Sequence, residues 1–210
     1  MSASCLTECL PYTVFPMKKI TLTLLGASLA TLTACASRTP DMTMNDLLKN
    51  PLFAEFYYED LTNQLVSLEL NEDEATKDPD KKAMIDALRT ESLRRANEIE
   101  KVQTQGKTGA FIQAKDIVQG EVLLLDGTLF FGPEFIGTPG VDVRVYLSTM
   151  LDPRDEGFPD ANAVDLGPLH TFYGEQWYEV PEPPEGVDYR SVVLWDADLE
   201  RVSSFAQISD

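Results

Sequence analysis

The sequence predicts an α+β protein in which an N-terminal helical hairpin precedes an antiparallel β-sandwich-like domain, and three observations predict it. Apolar residues recur at steps of three and four before Gly106 and at steps of two after it. Helix-start pairs, Asn50-Pro51 and Asp78-Pro79, punctuate the first part. Short apolar runs broken by Gly and Pro fill the second.

The first element is an address. Met17-Lys18-Lys19 supplies a basic start, residues 20–32 are uncharged and mostly apolar, and Leu32-Thr33-Ala34-Cys35 closes the stretch. This is the anatomy of a secretory signal peptide over residues 17–34. At about fifteen residues it falls short of the roughly twenty that a spanning helix needs. Residues 1–16 carry Glu8, Pro11 and Pro16 and no basic residue, so Met17 is read as the start, with a long leader from Met1 as the alternative. The Leu-Thr-Ala-Cys ending resembles the lipobox of bacterial lipoproteins. That resemblance implies cleavage before Cys35, acylation of its thiol, and a membrane partner held through lipid. Ala36 in place of Asp implies the outer membrane of a bacterial envelope, facing the periplasm. Of the three cysteines, Cys5 and Cys9 would then be discarded and Cys35 capped, which leaves no thiol chemistry. Residues 35–42 form the lipidated Cys and a short tether.

Residues 43–105 read as the hairpin. Thr43 and Asp46 have capping-box spacing, and Asn50-Pro51 repeats the start signal. Phe53, Tyr57, Leu61, Leu65 and Leu68 trace one apolar stripe. After an acidic break at residues 71–78, Asp78-Pro79 opens a second helix whose face is Met84, Ile85, Leu88, Ser92, Ala96, Ile99 and Val102. Glu91 and Arg95, four apart, add ion-pair support.

Residues 106–210 read as the β domain. Val122 to Leu125 forms a continuous apolar run, a central strand, and Asp126-Gly127 supplies a tight turn into Leu129-Phe130-Phe131. Val141, Val143, Val145 and Leu147 alternate with Asp142, Arg144, Tyr146 and Ser148, as a half-buried strand requires. Residues 166–169, 176–180 and 190–195 are further strands, the last two separated by a Pro-rich loop.

Charge narrows the function. The chain carries a formal −18, and loss of Lys18, Lys19 and Glu8 on maturation would take it to −19. Such a surface repels phosphate backbones, so nucleic acid is excluded as a partner. No Walker loop, dinucleotide glycine pattern, zincin motif or nucleophile elbow is present.

Residues 109–208 resemble the electron-transfer DM-thirteen domain family. Gly109-Ala110-Phe111, Gly120, Leu124-Leu125-Asp126-Gly127 and the strand from Val141 to Ser148 carry the resemblance. So do Val164-Asp165-Leu166-Gly167-Pro168-Leu169, Gly174-Glu175-Gln176-Trp177-Tyr178-Glu179-Val180-Pro181, Tyr189-Arg190-Ser191-Val192-Val193-Leu194-Trp195 and Phe205-Ala206. It implies a β-sandwich-like fold and a redox role that leans on a Cys directly after the Trp. Here that position is Asp196, and a carboxylate carries no electrons.

Candidate sites are few. Tyr146, His170, Trp177 and Trp195 form a candidate binding surface, for an envelope protein or a glycan, with strand packing as the plainer role of the aromatics. His170 is the only histidine and has no companion metal ligands. Residues 152–165 are acidic but miss the EF-hand template, since Arg154 occupies position three and Ala163 position twelve. A calcium loop of another kind stays open; no other metal or cofactor is expected. The functional reading is an envelope lipoprotein whose β domain is a non-catalytic binding or scaffolding module. Its alternatives are a redox component using a bound cofactor, and hydrolysis by a carboxylate pair that spacing does not single out.

Overall fold

Each helix starts at the capping residue that the sequence supplies. In the computed structural model, which describes residues 43–154 and 157–210, Thr43 and Asp46 form a reciprocal capping box that opens α1 (Met44–Leu47). Cys35 and the segments assigned above to leader, signal and tether lie outside the described residues, as do Asp155 and Glu156. Asn50 caps α2 (Pro51–Leu70) by accepting from Leu52 N at 3.0 Å. Asp78 caps α3 (Pro79–Gln103) by accepting from Asp80 N at 2.9 Å. Proline at the first helical position sacrifices no hydrogen bond in either helix. The acidic break between them holds a short 3-10 turn, Glu74–Lys77.

Contacts at both ends make α2 and α3 antiparallel. Arg89 donates to Glu69 at 2.8 Å beside the connecting turn. At the far end Gln103 Nε2 donates to Pro51 O at 3.1 Å and to Glu55 Oε2 at 2.6 Å. Burial raises the Glu55 carboxyl above its ordinary pKa, and the Gln103 amide opposes that shift. The Glu91–Arg95 pair is present at 2.7 Å, and being exposed it contributes little to stability.

The buried face of α3 is narrower than the expected one. Ile85, Ser92 and Ala96 are buried and Ile99 half-buried, whereas Met84, Leu88 and Val102 are exposed. One neighbouring helix covers one stripe, and the small Ser92 and Ala96 let α2 approach it closely. On α2 the expected stripe holds at Leu65, with Phe53, Tyr57, Leu61 and Leu68 half-buried.

The β domain has eight strands: β1 (Lys107–Gln113), β2 (Glu121–Leu125), β3 (Thr128–Phe131), β4 (Val143–Ser148), β5 (Val164–Pro168), β6 (Gln176–Glu179), β7 (Ser191–Asp196) and β8 (Arg201–Gln207). They pair antiparallel in the order β5-β4-β7-β8-β1-β2-β3-β6, a sheet that curls into a nearly closed sandwich. β1 is the joint. Residues 107–110 pair with β2, and residues 111–113 pair with β8. Gly109 makes the turnover achievable, because a Cβ there would stand 2.0 Å from Gln207 O. Asp126 and Gly127 adopt positive φ, 48° and 72°, in the tight turn that joins β2 to β3.

Both inner faces fill one core. Leu129 and Phe131 of β3, Val145 and Leu147 of β4, and Val192 and Leu194 of β7 are all buried there. Phe131 and Phe135 meet edge to face with centroids 5.0 Å apart. Each such side chain contributes about 1.5–3 kcal/mol by leaving water. On the outer face Leu52 of α2 packs against Leu123, Leu125 and Phe130. Beside it the fully buried Asn50 donates Nδ2 to Phe131 O at 2.8 Å, so one residue both caps α2 and joins the hairpin to β3.

The strand expected from Val141 begins two residues later. Val141 is 67% exposed, because the backbone N–H groups of Val141 and Asp142 turn to the Asp196 carboxylate instead of a ladder. β1 and β8 are strands that alternation alone did not reveal. Buried Ser203 and Ser204 interrupt the apolar pattern of β8, and Ser204 is satisfied by donating Oγ to Ile112 O at 2.9 Å.

Candidate functional site

The side chains that leave the core face of β4 and β7 build the site. Arg144 and Tyr146 alternate with the buried valines of β4, and Arg144 stands opposite Trp195 of β7. Arg144 Nε donates to Asp165 Oδ2 at 2.9 Å and Tyr146 OH donates to the same oxygen at 3.2 Å. Burial, and then the Asp165 charge, raise the Tyr146 hydroxyl above its ordinary pKa. Phe158 lies between Tyr146 and Trp195, with centroid distances of 5.7 and 5.1 Å. The structure therefore brings together two of the four aromatic and imidazole candidates, through a third ring from a loop.

Beside this row opens a cleft of about 390 Å³ lined by Lys115, Arg154, Phe158, Trp195, Glu200 and Arg201, among others. A β-bulge shapes it. Leu194 pairs with Ser204 but Trp195 pairs with Val202, so Ser203 is an extra residue on β8. The Ser203 carbonyl accepts from both Lys115 N and Asp116 N at 3.0 Å, which fixes the segment carrying Lys115 along the cleft. Arg201 Nη2 spans both oxygens of Asp116, at 3.1 and 2.9 Å. Arg154 bonds Asp152, holding that carboxyl below its ordinary pKa, and its guanidinium lies 5.0 Å from the centre of the Phe205 ring.

His170 and Trp177 meet elsewhere, in a pocket of about 290 Å³ that Thr171, Glu175 and Gln176 complete. The exposed His170 ring stacks on Tyr178 at 4.4 Å, and its backbone N–H is shared by Gln176 Oε1 and Tyr178 OH, each at 3.0 Å. Tyr178 OH in turn donates to Gln176 Oε1 at 2.8 Å, and burial pushes its pKa up to about 12. The imidazole is thus one surface of a hydrogen-bonded packing network.

Asp196, immediately after Trp195, is fully buried. Its oxygens accept from Val141 N at 3.0 Å, Leu199 N at 3.2 Å and Asp142 N at 3.4 Å. Burial pushes its pKa up, but those backbone donors and the Arg201 charge outweigh burial and hold it below the ordinary value. It fastens the loop before β4 to the turn between β7 and β8.

The described acidic residues of the 152–165 loop are engaged separately: Asp152 by Arg154, Asp160 by Ser148, Thr149 and Asn162 N, and Asp165 by Arg144 and Tyr146. Among the described residues no three His, Cys, Asp or Glu gather as metal ligands. Lys115, Phe158, Arg154 and Arg201 were not legible as site residues, since they come from three distant segments. The only sequence signal for the cleft was the outward alternation of Tyr146 and the tryptophan at the end of an apolar run.

Residues 110–208 match the model of the family described as Electron transfer DM13. No curated protein and no solved structure matches the chain.

Proposed function

We propose that this chain is a lipid-anchored envelope protein whose β domain, matched over residues 110–208 by the Electron transfer DM13 model, binds a ligand or partner without converting it. The observation that carries this reading is Asp196. In the family resemblance the position after the Trp is the one where many members place a redox-capable Cys. Here a buried carboxylate fills it, and its lone pairs are used to hold three backbone N–H groups. A position so occupied supports a structural role for Asp196 and favours the aromatic cleft as the binding surface.

A second reading, electron transfer through a bound cofactor, is favoured by the family's own description. The two separate in one experiment, mass spectrometry and absorbance of the natively purified protein. The binding reading expects no absorbance beyond the protein bands and no co-purifying redox group; a stoichiometric chromophore would replace it with the second. The same mass reports the lipid on Cys35. Palmitate labelling should vanish in Cys35→Ala, and label that persisted would remove the anchor.

A further inference from the structure

We propose that the cleft beside Trp195 is a binding site for a small planar aromatic anion, its ring against Trp195 and Phe158 and its anionic group at Lys115 and Arg201. The proposal rests on the reading that the domain binds without catalysis, and names what it binds.

Three observations carry it. The first is shape: Phe158 and Trp195 are tilted 57° to one another at 5.1 Å, and they wall a cleft of about 390 Å³, the size that receives one or two fused rings. The second is charge against background. On a chain of formal −18, three of the described residues lining this cleft are cationic, Lys115, Arg154 and Arg201, against one described acid, Glu200. Arg154 is held by Asp152 and Arg201 by Asp116. Lys115, by contrast, has no carboxylate partner among the described residues, and Arg201 spends only Nη2 on Asp116, leaving Nε and Nη1 to donate. The third is rigidity: the Ser203 bulge pins the backbone of Lys115 and Asp116, and Asp116 holds Arg201, so the frame of the cationic edge is set before a ligand arrives.

The acidic surface decides the size of the anion. A polyanion would meet the repulsion of the whole chain. A single small anion within the cleft responds mainly to charges inside a Debye length, about 8 Å at physiological salt. A neutral sugar would leave Lys115 without a partner.

The test is calorimetric titration of the natively purified protein with 2-naphthoate, and with 2-naphthamide as its uncharged twin. Naphthoate should bind at least about tenfold more tightly than the amide, the worth of one charge-assisted contact. Lys115→Gln, an exposed substitution, should erase that preference without lowering the melting temperature. In Trp177→Phe the remaining tryptophan, Trp195, should change its emission on titration. Equal binding of acid and amide, indifference to Lys115→Gln, tighter binding of a neutral disaccharide, or no binding at all would overturn the assignment. None of these outcomes touches the cofactor experiment above, by which the binding reading stands or falls independently.

Discussion

Asp196 shows how one buried carboxylate fastens two loops at once. Its carboxylate replaces a ladder for Val141 and Asp142 and closes the turn at Leu199, so its removal leaves three half-buried donors unmet. Asp196→Asn keeps the volume but loses the charge and one accepting oxygen, and should cost about 1–3 kcal/mol in urea unfolding at neutral pH. The pH dependence follows from the sign. Its folded pKa lies below its ordinary value, near about 3.9 when unfolded, so its stabilisation is complete above that pH and is lost as pH falls through the folded value. The gap between parent and Asp196→Asn should therefore narrow in acid, and a gap that widened there would contradict the assignment. Tyr189 behaves in the opposite way. Its hydroxyl is buried and, among the described residues, is the one buried side-chain polar atom without a hydrogen-bond partner. Tyr189→Phe should thus leave stability unchanged or raise it by up to about 1 kcal/mol, because a desolvated donor with no acceptor is removed. A clear loss on denaturant unfolding would mean that the hydroxyl has a partner.

At the scale of elements, the junction between hairpin and sheet depends on Asn50. It serves α2 through Oδ1 and β3 through Nδ2, and it is fully buried, so truncation loses a cap and orphans Phe131 O together. Asn50→Ala should cost about 2–4 kcal/mol, against about 0.5–1 kcal/mol for Thr43→Ala at the exposed cap of α1. Asn50→Asp separates the two roles, keeping the cap and losing the donor to Phe131. If both Asn50 variants matched Thr43→Ala in denaturant midpoint, the joint would be ornamental. The starts of these helices were legible because a cap and a proline are local signals. The face of α3 was not, because which of Ile85 and Met84 is buried depends on where α2 lies and no local rule contains that. The strands divide in the same way. β2, β3 and the turn at Asp126-Gly127 carry their pattern in the residues themselves, whereas β8 buries Ser203 and Ser204 because β1 bends across it. The cleft inherits this difficulty, since the bulge at Ser203 that aligns Lys115 with Trp195 exists only once β7 and β8 have paired.

Over the whole molecule, the excess of negative charge opposes folding, whereas the cations of the cleft attract its anion, so salt should act on the two with opposite signs. The chain has 35 acidic against 17 basic residues, so carboxylates outnumber cations about two to one. The ion pairs that do form lie mostly at the surface, as in Arg94–Glu98, where solvent screens them and each contributes little. Screening weakens these short attractions a little, but it removes long-range repulsion summed over an excess of 18 like charges, with the Debye length falling from about 30 Å at 0.01 M to about 10 Å at 0.1 M. The repulsive sum is the larger, so the melting temperature should rise with sodium chloride from about 10 to 300 mM. Each kcal/mol recovered moves it by about 2–4 °C in a domain of this size. Naphthoate affinity should fall over the same range, since at Lys115 and Arg201 the screened interaction is attractive. A melting temperature that fell with salt would mean that paired charges outweigh unpaired ones. Affinity that rose with salt would mean that the ring alone, and not the cationic edge, holds the ligand.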